Sequence, residues 1–139
     1  MACTQLIYTS QPFGFDEAML GGILRQARRN NPRDGITGAL ICRDDLYLQL
    51  LEGDAALVDA AFERIVPDDR HLSPQLIWRG TADSRLFGAW AMRDDPARSW
   101  MWTHAEVRAG AARDATPEVV RAVFARVAAE ANEDCRVAT

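Results

Sequence analysis

The chain has 139 residues, 48% of them apolar and 26% charged, which suits one globular domain whose core needs no metal or disulfide staple. Its net charge of −4 argues against a nucleic-acid binder, whose phosphate contacts call for a dominant basic face. All sixteen basic residues are arginine, which excludes a Schiff-base lysine for pyridoxal or retinal and the lysine of a Walker A loop.

Cys3, Cys42 and Cys135 are odd in number and form no Cys-x-x-Cys pair, the usage of a reduced, cytoplasmic protein. Met1 to Thr9 lacks the basic start and apolar run of a signal peptide. No apolar run approaches the ~18 residues that a membrane span requires.

Cys3 to Thr9 (CTQLIYT) reads as a strand. Asp16 offers an N-cap to a helix whose apolar face is Leu20, Ile23, Leu24 and Ala27, at i, i+3, i+4 and i+7. Gly21 and Gly22 weaken that helix; Pro32 and Asp34-Gly35 end it. Ile36 to Cys42 and Leu46 to Leu51 read as a hairpin turning at Arg43-Asp44-Asp45. Asp54 caps a second helix with Leu57, Val58, Ala61, Phe62 and Ile65 on its apolar face. Pro74 to Arg79 and Arg85 to Met92 read as two further strands. Thr116-Pro117-Glu118 opens the last helix, with a stripe of Val119, Val120, Val123, Phe124 and Val127 running to about Ala131.

The order is βαββαββ, an α+β sandwich of ferredoxin-like type. In the third strand Tyr47, Gln49 and Leu51 share one face and Leu46, Leu48 and Leu50 the other. Both faces are mostly apolar, so both need covering. The two helices of the repeat serve one face. The C-terminal helix serves the other, or pairs with a second chain. Residues 1–95 then form the domain proper, and 96–139 a helical extension of the same compact unit.

Gln49 is a carboxamide in an apolar strand, and burying it without partners would cost roughly 2–7 kcal/mol. Either a loop backbone or another polar group must meet it. Tyr8 shares a face with Leu6 and could reach Gln49 if the first and third strands are neighbours; a core tyrosine with a satisfied hydroxyl is the simpler alternative. Asn30 and Asn31 read equally as helix C-caps. Trp90 and Met92 share a face of the last strand and could be core filling. Arg64 and Asp68 could be an i,i+4 pair, and Arg70 and His71 surface residues. His71 and His104 are the only histidines, too few for a histidine-rich metal site, and no HExxH, paired-cysteine or GxSxG motif occurs.

Together these residues resemble the BLUF family, which senses blue light using FAD. The motifs run in order: Tyr8-Thr9-Ser10, Asn30-Asn31 before Gly35-Ile36-Thr37-Gly38, Gln49-Leu50-Leu51-Glu52-Gly53, Arg64-Ile65 before Asp68-Asp69-Arg70-His71, and Trp90-Ala91-Met92. The chain is similar to short, single-domain members, and residues beyond Arg93 carry no family motif.

The resemblance implies a non-covalent FAD, with FMN or riboflavin as substitutes. Its ring would lie between the two helices, with Ile23 and Ile65 on its faces. Asn31, with Asn30 beside it, would meet the polar edge. Asp68, Arg70 and His71 would support the ring edge or the ribityl-phosphate side, with Arg64 as a further contact. Gln49 would bridge Tyr8 and the flavin. Light would draw an electron and then a proton from Tyr8. Back transfer would leave the Gln49 amide rotated or tautomerised, and Trp90 or Met92 would carry the change onward. Ala27 stands where many members have serine, which removes one hydroxyl from the pocket.

The implied function is a non-enzymatic photoreceptor signalling to a separate protein, with a homodimer through the sheet face or C-terminal helix as another possibility. The alternative is a flavin-free ligand-binding or protein-interaction module on the same fold. An acylphosphatase would need a phosphate-cradling glycine loop with arginine, which Gln11 to Phe15 does not supply. An RRM would need paired exposed aromatics.

Overall fold

The computed structural model describes residues 3–12, 17–43, 45–67, 71–88, 92–96 and 101–137. Five strands, β1 (Cys3–Pro12), β2 (Thr37–Arg43), β3 (Leu46–Gly53), β4 (His71–Ala82) and β5 (Arg93–Pro96), form one sheet in the order β4-β1-β3-β2-β5. The first four strands pair antiparallel, and β5 joins β2 in parallel. The helices are α1 (Glu17–Asp34), α2 (Ala55–Ile65), α3 (His104–Arg108) and α4 (Pro117–Val137).

Every residue of the central strand β3 is buried, and its alternation sorts the core into two layers. Tyr47 and Leu51 join Leu6, Tyr8 and Leu40 beneath Leu24 of α1 and Val58 and Ala61 of α2. Leu48 and Leu50 join Ile7, Ala39 and Ile41 beneath Val120, Val123, Phe124 and Val127 of α4. The sheet is thus covered as the strand phase predicts, α1 and α2 on one face and α4 on the other. Each buried leucine contributes about 1.5–3 kcal/mol of transfer free energy. Arg121 of α4 also stacks over Trp78 of β4, 4.3 Å from the ring centroid.

Local chemistry sets the boundaries. The Asp54 carboxylate accepts the Leu57 N–H at 3.4 Å and starts α2 as expected. Gly35 has φ of 66°, and the N–H groups of Gly35 and Ile36 close on the carbonyls of Pro32 and Asn31 at 3.3 and 2.9 Å. This left-handed closure satisfies carbonyls that the end of α1 would otherwise leave open. It also explains why α1 passes through Pro32 to Asp34 rather than stopping at Pro32. Asn30 and Asn31 therefore lie inside the helix and are not its caps. Gly38 is required by close approach, since a Cβ there would sit 2.0 Å from the Leu50 carbonyl oxygen.

Of the strand expected over Arg85 to Met92, Arg85 to Gly88 follows bends and a turn, residues 89–91 lie outside the described residues, and the described strand that pairs is the polar Arg93–Pro96. The reason is Glu52, which accepts the N–H groups of Leu86 and Phe87 at 2.9 and 2.7 Å and so withholds them from a ladder. Its carboxylate is fully buried and also receives Gln5 Nε2 and Thr37 Oγ1, each at 3.1 Å. Four donors replace the water it loses, without which a buried carboxylate would be strongly destabilising. The β5 strand straddles the expected boundary between residues 95 and 96. The short α3 was not expected; Thr103 and Glu106 form its capping box.

Candidate functional site

On the face covered by α1 and α2 a cleft opens between the two helices, enclosing about 80 Å³ and open to solvent. Ile23, Gln26, Ala27, Asn30 and Asn31 line it from α1, and Ala61, Arg64 and Ile65 from α2. Tyr8, Leu40, Tyr47, Gln49 and Leu51 form the sheet floor.

Tyr8 and Gln49 are direct partners across the β1–β3 pair. Both are buried, and the Tyr8 hydroxyl donates to Gln49 Oε1. At its other end Gln49 Nε2 donates to Met92 Sδ at 3.3 Å. The amide thus spans from β1 to the residue preceding β5. Met92 is itself held by Arg28 of α1, whose Nε donates to the Met92 carbonyl at 3.2 Å. Tyr8 packs against Phe62 of α2, with ring centroids 5.3 Å apart.

Asn31 is buried, and Asn30 and Ile23 are half-buried. Arg64 sits at the rim, its Nη2 3.4 Å from Asp34 Oδ2. The Arg33 hydrogen bond holds the Asp34 carboxyl below the usual carboxylate range, partial desolvation opposes this, and the charges of Arg33 and Arg64 reinforce it.

Seven of the expected site residues therefore line one cleft: Tyr8, Ile23, Asn30, Asn31, Gln49, Arg64 and Ile65. Met92 joins them through Gln49. Asp68, Arg70 and Trp90 lie outside the described residues, and of His71 only the backbone belongs to them, as the first residue of β4. Gln26, Leu40, Tyr47, Leu51 and Ala61 were not expected in the site. Tyr47 and Leu51 were legible in principle, since they flank Gln49 two residues away on the same strand face. Gln26 follows Ile23 by three residues, one helical turn.

A cleft with aliphatic residues from both helices, Gln49 on its floor and Asn30 and Asn31 on α1 suits a heteroaromatic ring with a nitrogen- and oxygen-bearing edge. The buried amides of Gln49 and Asn31 offer both donors and acceptors to such an edge. An isoalloxazine ring meets that description, so the residues present fit FAD. Among the described residues no group of three histidine, cysteine or acidic side chains is placed to hold a metal ion.

Comparison with known proteins agrees. The profile of the BLUF family, sensors of blue-light using FAD, matches residues 3–93. The photoactivated adenylate cyclase subunit beta of Euglena gracilis is 28% identical over 93 residues, which cover 65% of this chain and 11% of that protein. A subunit alpha-like protein, FB, from the same organism is 28% identical over 75 residues, covering 54% of this chain and 7% of that protein. The chain thus spans at most about 11% of the length of these two curated relatives.

Among solved structures, BlrB, a BLUF protein in its dark state, superimposes with a TM-score of 0.75 at 29% identity, covering 92% of this chain and 96% of that one. BlsA in its photo-activated state gives a TM-score of 0.65 at 31% identity, covering 70% and 71% of the two chains. With the motifs in order, the cleft in place and the profile spanning β1 to β4 with α1 and α2, the chain belongs to the BLUF family and is a blue-light sensor that uses FAD.

Proposed function

We propose that the FAD ring lies in the cleft between α1 and α2 and that Tyr8 and Gln49 are its photoactive pair. The observation that carries this is the buried Gln49 amide, bonded to a phenol at one end and to a thioether at the other. Ile23 and Ile65 pack on the two ring faces, Asn31 meets its polar edge with Asn30 beside it, and Arg64 guards the rim. The family resemblance supports Asp68, Arg70 and His71 at the ring edge or ribityl-phosphate side.

When bound, the flavin supplies blue-light absorption and, once excited, a strong one-electron oxidant. Tyr8 is an oxidisable side chain on the cleft floor, and its proton is already directed at the Gln49 amide oxygen. Loss of an electron acidifies the phenol, and Gln49 Oε1 is the atom towards which its proton moves. When the phenol is restored, the amide settles rotated or as its tautomer, with donor and acceptor ends rearranged. Met92 then no longer receives the same N–H, and Arg28 links that change to α1. Met92 is the relay that the contacts support.

In this reading residues 1–95 carry the light chemistry and 96–139 form the output extension. The chain is a non-enzymatic sensor in the cytoplasm that signals in trans to a separate protein, or to a second copy through α4, since both sheet faces are covered within the chain, without a nucleic-acid or membrane partner. None of the described helices is long and apolar enough to cross a membrane. An absorption spectrum tests the core of it. The purified protein is expected to be yellow, with a vibronic flavin band that blue light moves reversibly to longer wavelength. A colourless protein that takes up no added FAD, FMN or riboflavin would overturn the reading in favour of a flavin-free interaction module.

A further inference from the structure

The chain between β4 and β5 is held to the central strand at two points. Near its end, Met92 accepts a hydrogen bond from Gln49 Nε2. Near its start, the N–H groups of Leu86 and Phe87 are both taken by the Glu52 carboxylate. Gln49 and Glu52 lie three residues apart on β3 and point to opposite faces of the sheet. Glu52 Oε2 serves Gln5 and Leu86, and Oε1 serves Thr37 and Phe87. Gln5 and Thr37 are the cross-strand partners of Glu52 on β1 and β2, so the carboxylate binds three adjacent strands to one short backbone segment. Thr37 is in turn fixed by Arg85 Nη1, 3.0 Å from its hydroxyl oxygen.

What that segment presents is Phe87. The side chain is fully buried and meets Phe124 of α4 edge-on, with ring centroids 6.3 Å apart. One clamp on the connection therefore lies at the amide proposed to respond to light. The other seats the aromatic contact that joins the sheet to the C-terminal helix.

We propose that Glu52 is the positioning residue that delivers the light response to α4. Glu52 ties Leu86 and Phe87 to the strand that carries Gln49, so a change at the amide reaches the Phe87–Phe124 contact through β3. This rests on the Tyr8–Gln49 site proposed above. Glu52 touches neither cleft nor flavin; it acts through Phe87.

The test is hydrogen exchange of α4 in the dark and under blue light, read beside the flavin spectrum of the same samples. Glu52→Gln keeps the shape but turns one acceptor oxygen into a donor facing a backbone N–H. It is expected to keep the red shift and to shrink the light-minus-dark difference at α4 by about threefold or more. Thr37→Val keeps the carboxylate, removes one donor and is expected to act in the same direction, which answers the question if Glu52→Gln does not fold. A purely structural role would raise exchange equally in dark and light and leave the difference intact, and that result overturns the proposal. So does a wild-type protein whose spectrum shifts while α4 exchange stays the same. A wild-type protein that binds flavin without any red shift overturns the photoactive pair itself.

Discussion

The Tyr8 hydroxyl donates to the Gln49 side-chain oxygen across the β1–β3 pair, and the two residues are register partners. Backbone pairing, rather than side-chain flexibility, therefore sets their separation. Phenylalanine at position 8 keeps the ring and its contact with Phe62 but removes the only group there that can lose a proton. Tyr8→Phe is expected to retain flavin and lose the light-induced red shift entirely, at about 0.5–1.5 kcal/mol of stability. Difference spectroscopy under blue light reads the first, and denaturant unfolding the second.

Gln49→Leu removes both ends of the bridge at once. Flavin should remain bound in the aliphatic slot, and the red shift should vanish even though Tyr8 is intact. A photocycle surviving in this variant would show that the amide is not the responding group.

Met92→Leu separates the relay from the chemistry. The two side chains are close in volume, so stability should change by less than about 1.5 kcal/mol. The red shift should persist. Without the sulfur acceptor the dark arrangement of Gln49 loses a bond, so return to the dark state should be slower than in wild type. Recovery followed at the flavin band after a light pulse measures this.

Gly38→Ala tests the packing beneath the site. Its Cβ would fall 2.0 Å from the Leu50 carbonyl oxygen, which is backbone and cannot rotate away. Separation of β2 from β3 follows, with a loss of about 3 kcal/mol. Thermal unfolding should show a markedly lower midpoint, and flavin occupancy should fall with it.

Acid sensitivity should centre in part on Asp45. Its burial works against ionisation, but the hydrogen bonds and charge of Arg43 outweigh this and hold the carboxyl below its ordinary value. The Arg43 Nε–Asp45 Oδ1 distance is 2.5 Å, and Arg43 Nη1 also donates to the Trp102 carbonyl at 2.8 Å. A carboxyl depressed in the folded state contributes stability that is present above its unfolded pKa of about 3.9 and lost as pH falls through the lower folded value. Unfolding free energy should therefore decline below about pH 4, and Asp45→Asn should flatten that decline.

Period-two alternation in β3 was enough to put Gln49 on one face, Leu48 and Leu50 on the other, and to require cover on both; which helices take which face depends on the chain's path between the strands, which the alternation does not carry. Asp54 marked the start of α2 for an equally local reason. What the sequence concealed depends on partners remote along the chain. Glu52 looks like an ordinary loop carboxylate until Gln5, Thr37, Leu86 and Phe87 converge on it. Arg93–Pro96 has no alternation to reveal it as a strand; β2 supplies the pairing. Pro32 misled because the Gly35 closure downstream outweighs the missing N–H. Thr103 and Glu106 did carry a local signal for α3, at capping-box spacing.

The parallel pairing of β5 has a consequence for how the molecule opens. The four antiparallel strands complete their own ladders without it, and β5 adds only four residues at the sheet margin beside β2. A short marginal strand belongs to the least stable cooperative unit of a fold and is released well before the core unfolds. Met92, the sulfur that faces the Gln49 amide, directly precedes that strand. The Gln49 amide is thus tied to the margin of the sheet, where a short strand can yield while the core beneath α1 and α2 stays folded.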